Sequence, residues 1–199
     1  MSILEIIATI TGIIAVGLQA KEKILAWPFA IVSVTILAYI FFFQRLYSDF
    51  GLHVIYILLN IYGWMVWSQK KENEDVTPTV LMSKTQVVLA SGITILGTAI
   101  LGYIMANTTN ADIPYFDAFT TSGSLVAQYL LAKKYLQNWS FWIVVDLVAI
   151  PLYVYKELYI VAFLFLVYLG ICVYGYWSWK KAMPKTSLAI NENKNTDLQ

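Results

Sequence analysis

One aspartate within an apolar stretch has the clearest capacity for chemistry in this sequence. Asp146 lies close to the middle of segment 138–156, which is long enough to cross a bilayer as a helix. A carboxylate at that depth costs roughly 2.5–3.5 kcal/mol on insertion scales, so it needs a partner, a water-filled cavity or a cationic ligand. We therefore take Asp146 as a ligand-binding candidate. The alternative is a structural hydrogen bond to a tyrosine or threonine of a neighbouring helix.

Aromatic residues accompany this carboxylate at helical spacing. Steps of three and four residues place the following set on one helical face: Trp139, Trp142, Asp146, Ile150 and Tyr153. Indole rings near a carboxylate can stack on a flat, positively charged heterocycle, while the acid supplies the counter-charge. Trp139 is also explained by the belt of aromatic residues at a membrane interface, whereas Trp142 lies one turn deeper. The set predicts a small ligand with a cationic ring.

Composition indicates an integral membrane protein that is all α-helical. The chain has 199 residues, of which 59% are hydrophobic and only 13% are charged, so lipid must cover much of the apolar surface. Seven stretches read as membrane-spanning helices, near 3–20, 25–44, 47–67, 86–105, 114–134, 138–156 and 158–180.

Several classes of function are disfavoured by what the sequence lacks. The net charge of +1 gives no reason to expect nucleic acid as a partner. A single cysteine, Cys172, cannot form a disulfide framework or a cysteine metal site. The chain has no His-Glu-x-x-His, Gly-x-Ser-x-Gly or glycine-rich phosphate loop, so we predict neither an enzyme nor a bound cofactor or metal.

Basic residues are distributed unequally between the loops of the two membrane faces. Only Arg45 and Lys156 fall on one face. Eleven fall on the other: Lys21, Lys23, Lys70, Lys71, Lys84, Lys133, Lys134, Lys180, Lys181, Lys185 and Lys194. Because basic loops stay in the cytoplasm, this bias predicts an external N-terminus and a cytoplasmic C-terminus.

The sequence also repeats itself at a spacing of 112 residues. Landmarks of the first three helices, such as Lys21, Trp27 and Gly63, align without a gap with Lys133, Trp139 and Gly175. Since the fourth helix returns the chain to its starting side, the two three-helix repeats are predicted to be parallel, with the substrate between them. The predicted units are repeat one (1–67), a cytoplasmic linker (68–84), a connecting helix and outer loop (85–113), repeat two (114–181) and a cytoplasmic tail (182–199).

Polar residues recur with helical period on other helices. The first and fifth helices carry such stripes, ending in Gln19 and Gln128, as expected for helices that line a polar interior. Asn60 lies near mid-depth in the third helix, where an amide without partners is costly. The remaining aromatic candidates for substrate binding are Tyr56, Trp64 and Tyr168. His53 is expected to be a hydrogen-bonded bundle residue rather than a metal ligand, and Trp67 and Trp179 are expected to belong to the cytoplasmic aromatic belt.

Six short motifs form a specific set: Trp27-Pro-Phe, Gln44-Arg-Leu-Tyr47, Asn60-Ile-Tyr-Gly-Trp64, Asp117-Ala-Phe-Thr-Thr121, Gln137-Asn-Trp139 with Trp142, and Tyr155-Lys-Glu-Leu-Tyr159. In these motifs the chain resembles the Pnu (PnuC-type) family of bacterial vitamin transporters. The resemblance implies a seven-helix, full-length SWEET-like fold, a homotrimer in the inner membrane, and facilitated diffusion of an unphosphorylated vitamin that is trapped by phosphorylation in the cytoplasm.

The resemblance also bears on the substrate. Members of the nicotinamide riboside type tend to carry asparagine at the positions that match Ser33 and Asp146, and both differ here. This departure favours thiamine, with nicotinamide riboside as the alternative, since both rings are cationic; riboflavin is neutral and bulky. Ser33 thereby joins the candidate substrate-binding residues. Two other functional classes remain as alternatives: a vitamin-binding subunit of an energised importer, for whose motor the short inner loops offer little surface, and a membrane receptor or scaffold.

Overall fold

Seven α-helices account for most of the residues that the structure describes. The computed structural model describes residues 3–69, 78–109 and 111–183. The helices in these ranges are α1 (Ile3–Ala20), α2 (Ala26–Phe43), α3 (Tyr47–Ser68), α4 (Lys84–Thr108), α5 (Pro114–Ala132), α6 (Asn138–Tyr155) and α7 (Tyr159–Ala182). The prediction of an all-α, seven-helix chain is confirmed. Residues 70–77 of the predicted linker and nearly all of the predicted tail lie outside the described residues.

Six of these helices are long and apolar enough to cross a membrane, and α5 is not among them. Its sequence explains the difference, because Asp117, Gln128 and several threonines and serines dilute its apolar side chains. Several of the polar side chains of α5 are buried within the bundle. The polar helix is therefore shielded by its neighbours.

Helices α1, α2, α3, α5, α6 and α7 pack in a closed ring, each against the next, and α7 returns to α1. Helix α4 lies outside this ring and packs on α5. We call the end of the ring at which α1 and α5 finish the lysine-rich end, because Lys21, Lys23, Lys133 and Lys134 follow these helices. The other end, where α2 and α6 finish, is the opposite end.

Four helices of the ring end in the same way. Glu22, Arg45, Lys134 and Glu157 have φ values of 56–60° and follow α1, α2, α5 and α6 respectively. After each, a backbone N–H bonds back to the last helical turn, as in the contact from Lys23 to the Leu18 carbonyl. Glycine usually occupies this left-handed position. Glu22 and Lys134 are 112 positions apart, and so are Arg45 and Glu157. This distance is the spacing of the sequence repeat.

Close packing attaches α4 to the ring. Its N-terminus has a capping box, in which Ser83 Oγ accepts from the Gln86 N–H at 3.2 Å and Gln86 Oε1 accepts from the Ser83 N–H at 2.8 Å. A Cβ placed on Gly102 would lie 2.3 Å from the ring of Tyr115, so only glycine permits this approach of α4 to α5. Gly102 of the connecting helix α4 thus has a packing role.

Candidate functional site

A cavity of about 280 Å³ lies inside the ring of helices. All six ring helices contribute to its wall, so both sequence repeats do. Eight of the ten predicted site residues line it: Ser33, Tyr56, Asn60, Gln128, Trp139, Trp142, Asp146 and Tyr168. Pockets for small ligands have volumes of roughly 300–1,000 Å³. The cavity is near the lower end of this range and suits a small molecule.

Asp146 supplies the carboxylate of the cavity. The residue is 1% exposed, and its Oδ2 atom has no hydrogen-bond partner among the described residues. The thiol of Cys172 on α7 lies close enough to bond to the same carboxylate. The Nε1 atom of Trp139 is likewise buried without a partner. A buried acceptor and a buried donor of two cavity-lining residues thus have no hydrogen-bond partner among the described residues.

Two amides face each other across the cavity wall. Gln128 Nε2 on α5 donates to Asn60 Oδ1 on α3 at 3.1 Å, and Asn60 Nδ2 donates to the Tyr56 carbonyl at 2.7 Å. Both residues are buried, at 6% and 2% exposure. Since α3 and α5 belong to different sequence repeats, this bond connects the two halves beside the cavity.

Ser33 has a structural partner of its own. Its Oγ donates to the Ala8 carbonyl at 2.8 Å and so ties α2 to α1. A Cβ on Gly12 would lie 3.0 Å from the Tyr168 hydroxyl and 3.1 Å from Ser33 Oγ. Gly12 therefore leaves room for both polar groups to reach the cavity.

Two predicted site residues do not line the cavity. Trp64 is 42% exposed on the outer surface of α3. Tyr153 lies behind the wall, stacked on Phe165 with ring centroids 5.1 Å apart, and Phe165 itself lines the cavity. The helical period predicted that Trp64 and Tyr153 lie on candidate faces. It could not determine how α3 and α6 are rotated about their axes.

Other lining residues were not among the predicted set. Gln19 and Ser124 lie on the polar stripes of α1 and α5, so the period of those stripes was the signal that could have found them. His53 also lines the cavity, and its Nδ1 lies 2.8 Å from the Asp49 carbonyl. This contact fits the expected hydrogen-bonded role of the histidine. Within the described ranges, no group of three or more metal-ligating side chains occurs.

Trp27, Trp67, Trp139 and Trp179 pack together at the lysine-rich end, and we call them the tryptophan floor. Each is at most 4% exposed. Trp27 and Trp67 meet edge to face with ring centroids 5.2 Å apart, and Trp139 and Trp179 do so at 5.4 Å. Trp67 and Trp179 connect the two pairs at 5.6 Å. Because Trp139 also lines the cavity, the floor lies directly against the binding space.

An ion pair lies at the opposite end. Lys156 Nζ, just after α6, donates to Asp117 Oδ1 at 2.6 Å and to Oδ2 at 2.8 Å, near the start of α5. Both side chains are partly exposed, so the net stabilisation is at most modest. The pair joins two helices of the same sequence repeat.

Comparisons with known proteins assign the family. The profile of the family described as nicotinamide mononucleotide transporter matches residues 2–181. The chain is 24% identical over 204 residues to the nicotinamide riboside transporter PnuC of Escherichia coli, and the match covers 90% of this chain and 85% of the relative. It is 28% identical over 194 residues to the nicotinamide riboside transporter PnuC of Neisseria mucosa, covering 91% and 73% of the two chains.

A solved structure agrees with these matches. The crystal structure of the vitamin B3 transporter PnuC superposes with a TM-score of 0.70 at 27% identity, and covers 89% of this chain and 80% of that one. The family profile extends over all seven helices, and the superposition includes most of them. The chain therefore belongs to the PnuC-type family of membrane transporters.

Proposed function

We propose that this transporter moves an unphosphorylated vitamin with a cationic ring through the cavity, with nicotinamide riboside as the first candidate. The observation that carries the proposal is the unpartnered Oδ2 atom of Asp146 beside Trp139 and Trp142. A pyridinium ring can stack on an indole while the carboxylate offsets its charge. The Asn60–Gln128 amides are placed to bond to the polar substituents of the same ligand.

Phosphate groups do not suit this cavity. No lysine or arginine is among the described residues that line it, and Asp146 adds a negative charge. A phosphorylated vitamin would bring its own negative charges into a poorly hydrated space without a counter-charge. This favours the nucleoside over the mononucleotide named in the description of the family.

The choice between nicotinamide riboside and thiamine depends on two opposing observations. Two relatives that match over most of the chain are named as nicotinamide riboside transporters. Ser33 and Asp146, however, both line the cavity at positions where the family resemblance implies asparagine. We give the names of the relatives more weight than these two positions. Thiamine, the substrate expected from the sequence alone, is therefore the second candidate.

We infer that the two sequence repeats act as two parallel halves in a SWEET-like arrangement. Contacts at equivalent positions support this: α3 packs on α5 as α7 packs on α1, and Trp27 meets Trp67 as Trp139 meets Trp179. Two halves that rock about a site between them can expose it to each membrane face in turn without a fuel. Transport should then be uncoupled uniport, with accumulation left to phosphorylation in the cytoplasm.

The orientation and the partners follow as part of the proposal. Positive loops are retained in the cytoplasm, so the lysine-rich end is assigned to the cytoplasmic face of the bacterial inner membrane. The large apolar side chains exposed on the outer surface of α4, such as Val88 and Ile95, are assigned to lipid or to further copies in a homotrimer.

A binding screen followed by transport tests the proposal. Purified protein is titrated with nicotinamide riboside, thiamine, riboflavin and nicotinamide mononucleotide, with tryptophan fluorescence as the readout because Trp139 and Trp142 line the cavity. We expect nicotinamide riboside to bind most tightly and the mononucleotide most weakly. In liposomes, uptake should equilibrate without ATP or an ion gradient. Binding of none of the four, or proton- or sodium-driven accumulation of unmodified vitamin, would contradict the proposal.

A further inference from the structure

A largely buried ion pair lies at the lysine-rich end. Lys134 Nζ lies 2.7 Å from Glu22 Oε2, and the side chains of the lysine and the glutamate are 1% and 19% exposed. Both residues occupy the left-handed position that ends a helix, α1 for Glu22 and α5 for Lys134. They are 112 positions apart, so equivalent residues of the two repeats meet each other. This contact therefore connects the two halves at the ends of α1 and α5.

The tryptophan floor surrounds this pair. Lys134 Nζ lies 4.9 Å from the ring centroid of Trp67 and 5.9 Å from that of Trp179. Trp67 Nε1 donates to the Leu131 carbonyl at 3.3 Å, and Trp179 Nε1 donates to the Gln19 carbonyl at 3.0 Å. Leu131 and Gln19 are again 112 positions apart. Each indole thus bonds across to the other half, and the ammonium group of Lys134 lies near both rings.

A segment before α4 is fixed to the same place. The Val80 N–H donates to the Lys134 carbonyl at 3.0 Å, and the Leu136 N–H donates to the Val80 carbonyl at 2.9 Å. Thr79 Oγ1 lies 3.5 Å from Glu22 Oε2. These two residues of the predicted linker (68–84) therefore contact both members of the pair.

We infer that the Glu22–Lys134 pair is the latch of the gate at the lysine-rich end, which separates when the cavity opens there. The inference rests on the proposed function. Neither residue lines the cavity, so both act as positioning residues, through Trp179 and then Trp139, which does line it. Separating the pair loses its attraction but restores the hydration of both charges. Because these two contributions oppose each other, the pair can hold one geometry while the net free-energy cost of separating it stays small.

Alkylation of a native cysteine can report whether this gate is open. Cys172 is the one cysteine of the chain, it is 2% exposed, and it lines the cavity beside Asp146. A membrane-impermeant maleimide applied to vesicles of either orientation reaches Cys172 from one face only when the gate at that face is open. The Cys172→Ser variant gives the background. This readout needs no substrate.

Single neutralisations and a charge swap form the test. We expect Glu22→Gln and Lys134→Gln to accelerate alkylation of Cys172 from the lysine-rich side on the order of tenfold, a shift typical of coupled equilibria. Alkylation from the opposite side should slow, because the two open states compete. The double variant Glu22→Lys with Lys134→Glu should return both rates part of the way toward those of the parent, since it restores the ion pair but places the carboxylate beside the two indoles.

A matched control breaks the other ion pair. Lys156→Gln removes the Asp117 contact at the opposite end and should leave alkylation from the lysine-rich side unchanged. Parent rates in both single variants, or faster alkylation from both sides at once, would overturn the inference, because the pair would then be dispensable or purely structural. If the side-specific shift occurs while no vitamin binds, the latch stands and the substrate assignment fails.

Discussion

Gln128 and Asn60 form a hydrogen bond of 3.1 Å between their side-chain amides, and with it α5 of one repeat is connected to α3 of the other beside the cavity. Each amide is buried, so neither can turn to water if the other is lost. The bond therefore connects the two halves at the wall of the cavity.

Removal of both amides should cost less than the sum of the two single removals. We expect Asn60→Ala or Gln128→Ala to lower the free energy of unfolding by about 1–3 kcal/mol, because the partner is left buried and unsatisfied. The double variant should lose less than the sum of the two losses. Thermal unfolding in detergent measures all three. Strictly additive losses would show that the two amides do not interact.

The carboxylate of Asp146 should determine the affinity for a cationic ring. Asp146→Asn keeps the shape of the side chain but removes its charge, and a charge-assisted bond is worth roughly 1.5–3 kcal/mol. Affinity for thiamine should fall by about ten- to hundredfold. Nicotinamide riboside should gain relative to thiamine, because the variant approaches the asparagine pattern of the family.

Titration by tryptophan fluorescence measures this change, with Asp112→Asn in the loop before α5 as the control. If Asp146→Asn binds thiamine as tightly as the parent and is merely less stable, the carboxylate has a structural role in the bundle.

Stacking on Trp142 should not distinguish the two rings. Trp142→Ala removes an indole from the cavity wall, and an aromatic contact is worth about 0.5–1.5 kcal/mol beyond the area it buries. Both vitamins should therefore bind more weakly, by similar factors. Trp64→Ala is the matched control, because Trp64 lies on the outer surface and its loss should leave both affinities unchanged. An equal effect of the two variants would argue against the cavity as the binding site.

Two glycines should be indispensable to the tryptophan floor. A Cβ on Gly63 would lie 2.1 Å from the ring of Trp27, and one on Gly175 would lie 2.7 Å from that of Trp139. Gly63→Ala should therefore destabilise the protein by about 1–3 kcal/mol through overpacking. Gly170→Ala on α7 meets no atom within 4 Å and should be neutral or slightly stabilising. Unfolding temperatures of the two variants provide the comparison.

Labelling of introduced cysteines checks the orientation. In the Cys172→Ser background, Thr109→Cys places a thiol in the loop 107–112, and Ser187→Cys places one in the tail. An impermeant reagent applied to intact cells should modify the first and spare the second, because the lysine-rich end is assigned to the cytoplasm. The reverse pattern would refute that assignment.

Much of the helical framework follows from the sequence because two strong signals agree there. Apolar length defines six of the helices, and each helix begins and ends within three residues of its predicted position. Asp146 and Asn60 were found for a simple reason, since a polar side chain at bilayer depth is costly wherever it points unless it meets a partner. Both lie on the cavity wall.

Other features depend on geometry that periodicity does not contain. Trp64 and Asn60 are one helical turn apart, yet one is exposed and the other is buried, because the rotation of α3 is set by its neighbours. Trp67 and Trp179 were interpreted as belt residues at a membrane interface, but they are buried in the tryptophan floor. The contact between Glu22 and Lys134 could not be predicted from the repeat. The alignment of the two repeats shows that these residues are equivalent, but it does not indicate which equivalent residues touch.

The polar composition of α5 has a consequence for biosynthesis. A helix that is too polar to partition alone enters a bilayer more readily together with an apolar segment that covers part of its surface. Helix α4 precedes it directly, is apolar along its length, and packs against it through Gly97 and Gly102. We expect α4 and α5 to leave the translocon together as a hairpin. The connecting helix would then act as an internal chaperone for the most polar span of the protein.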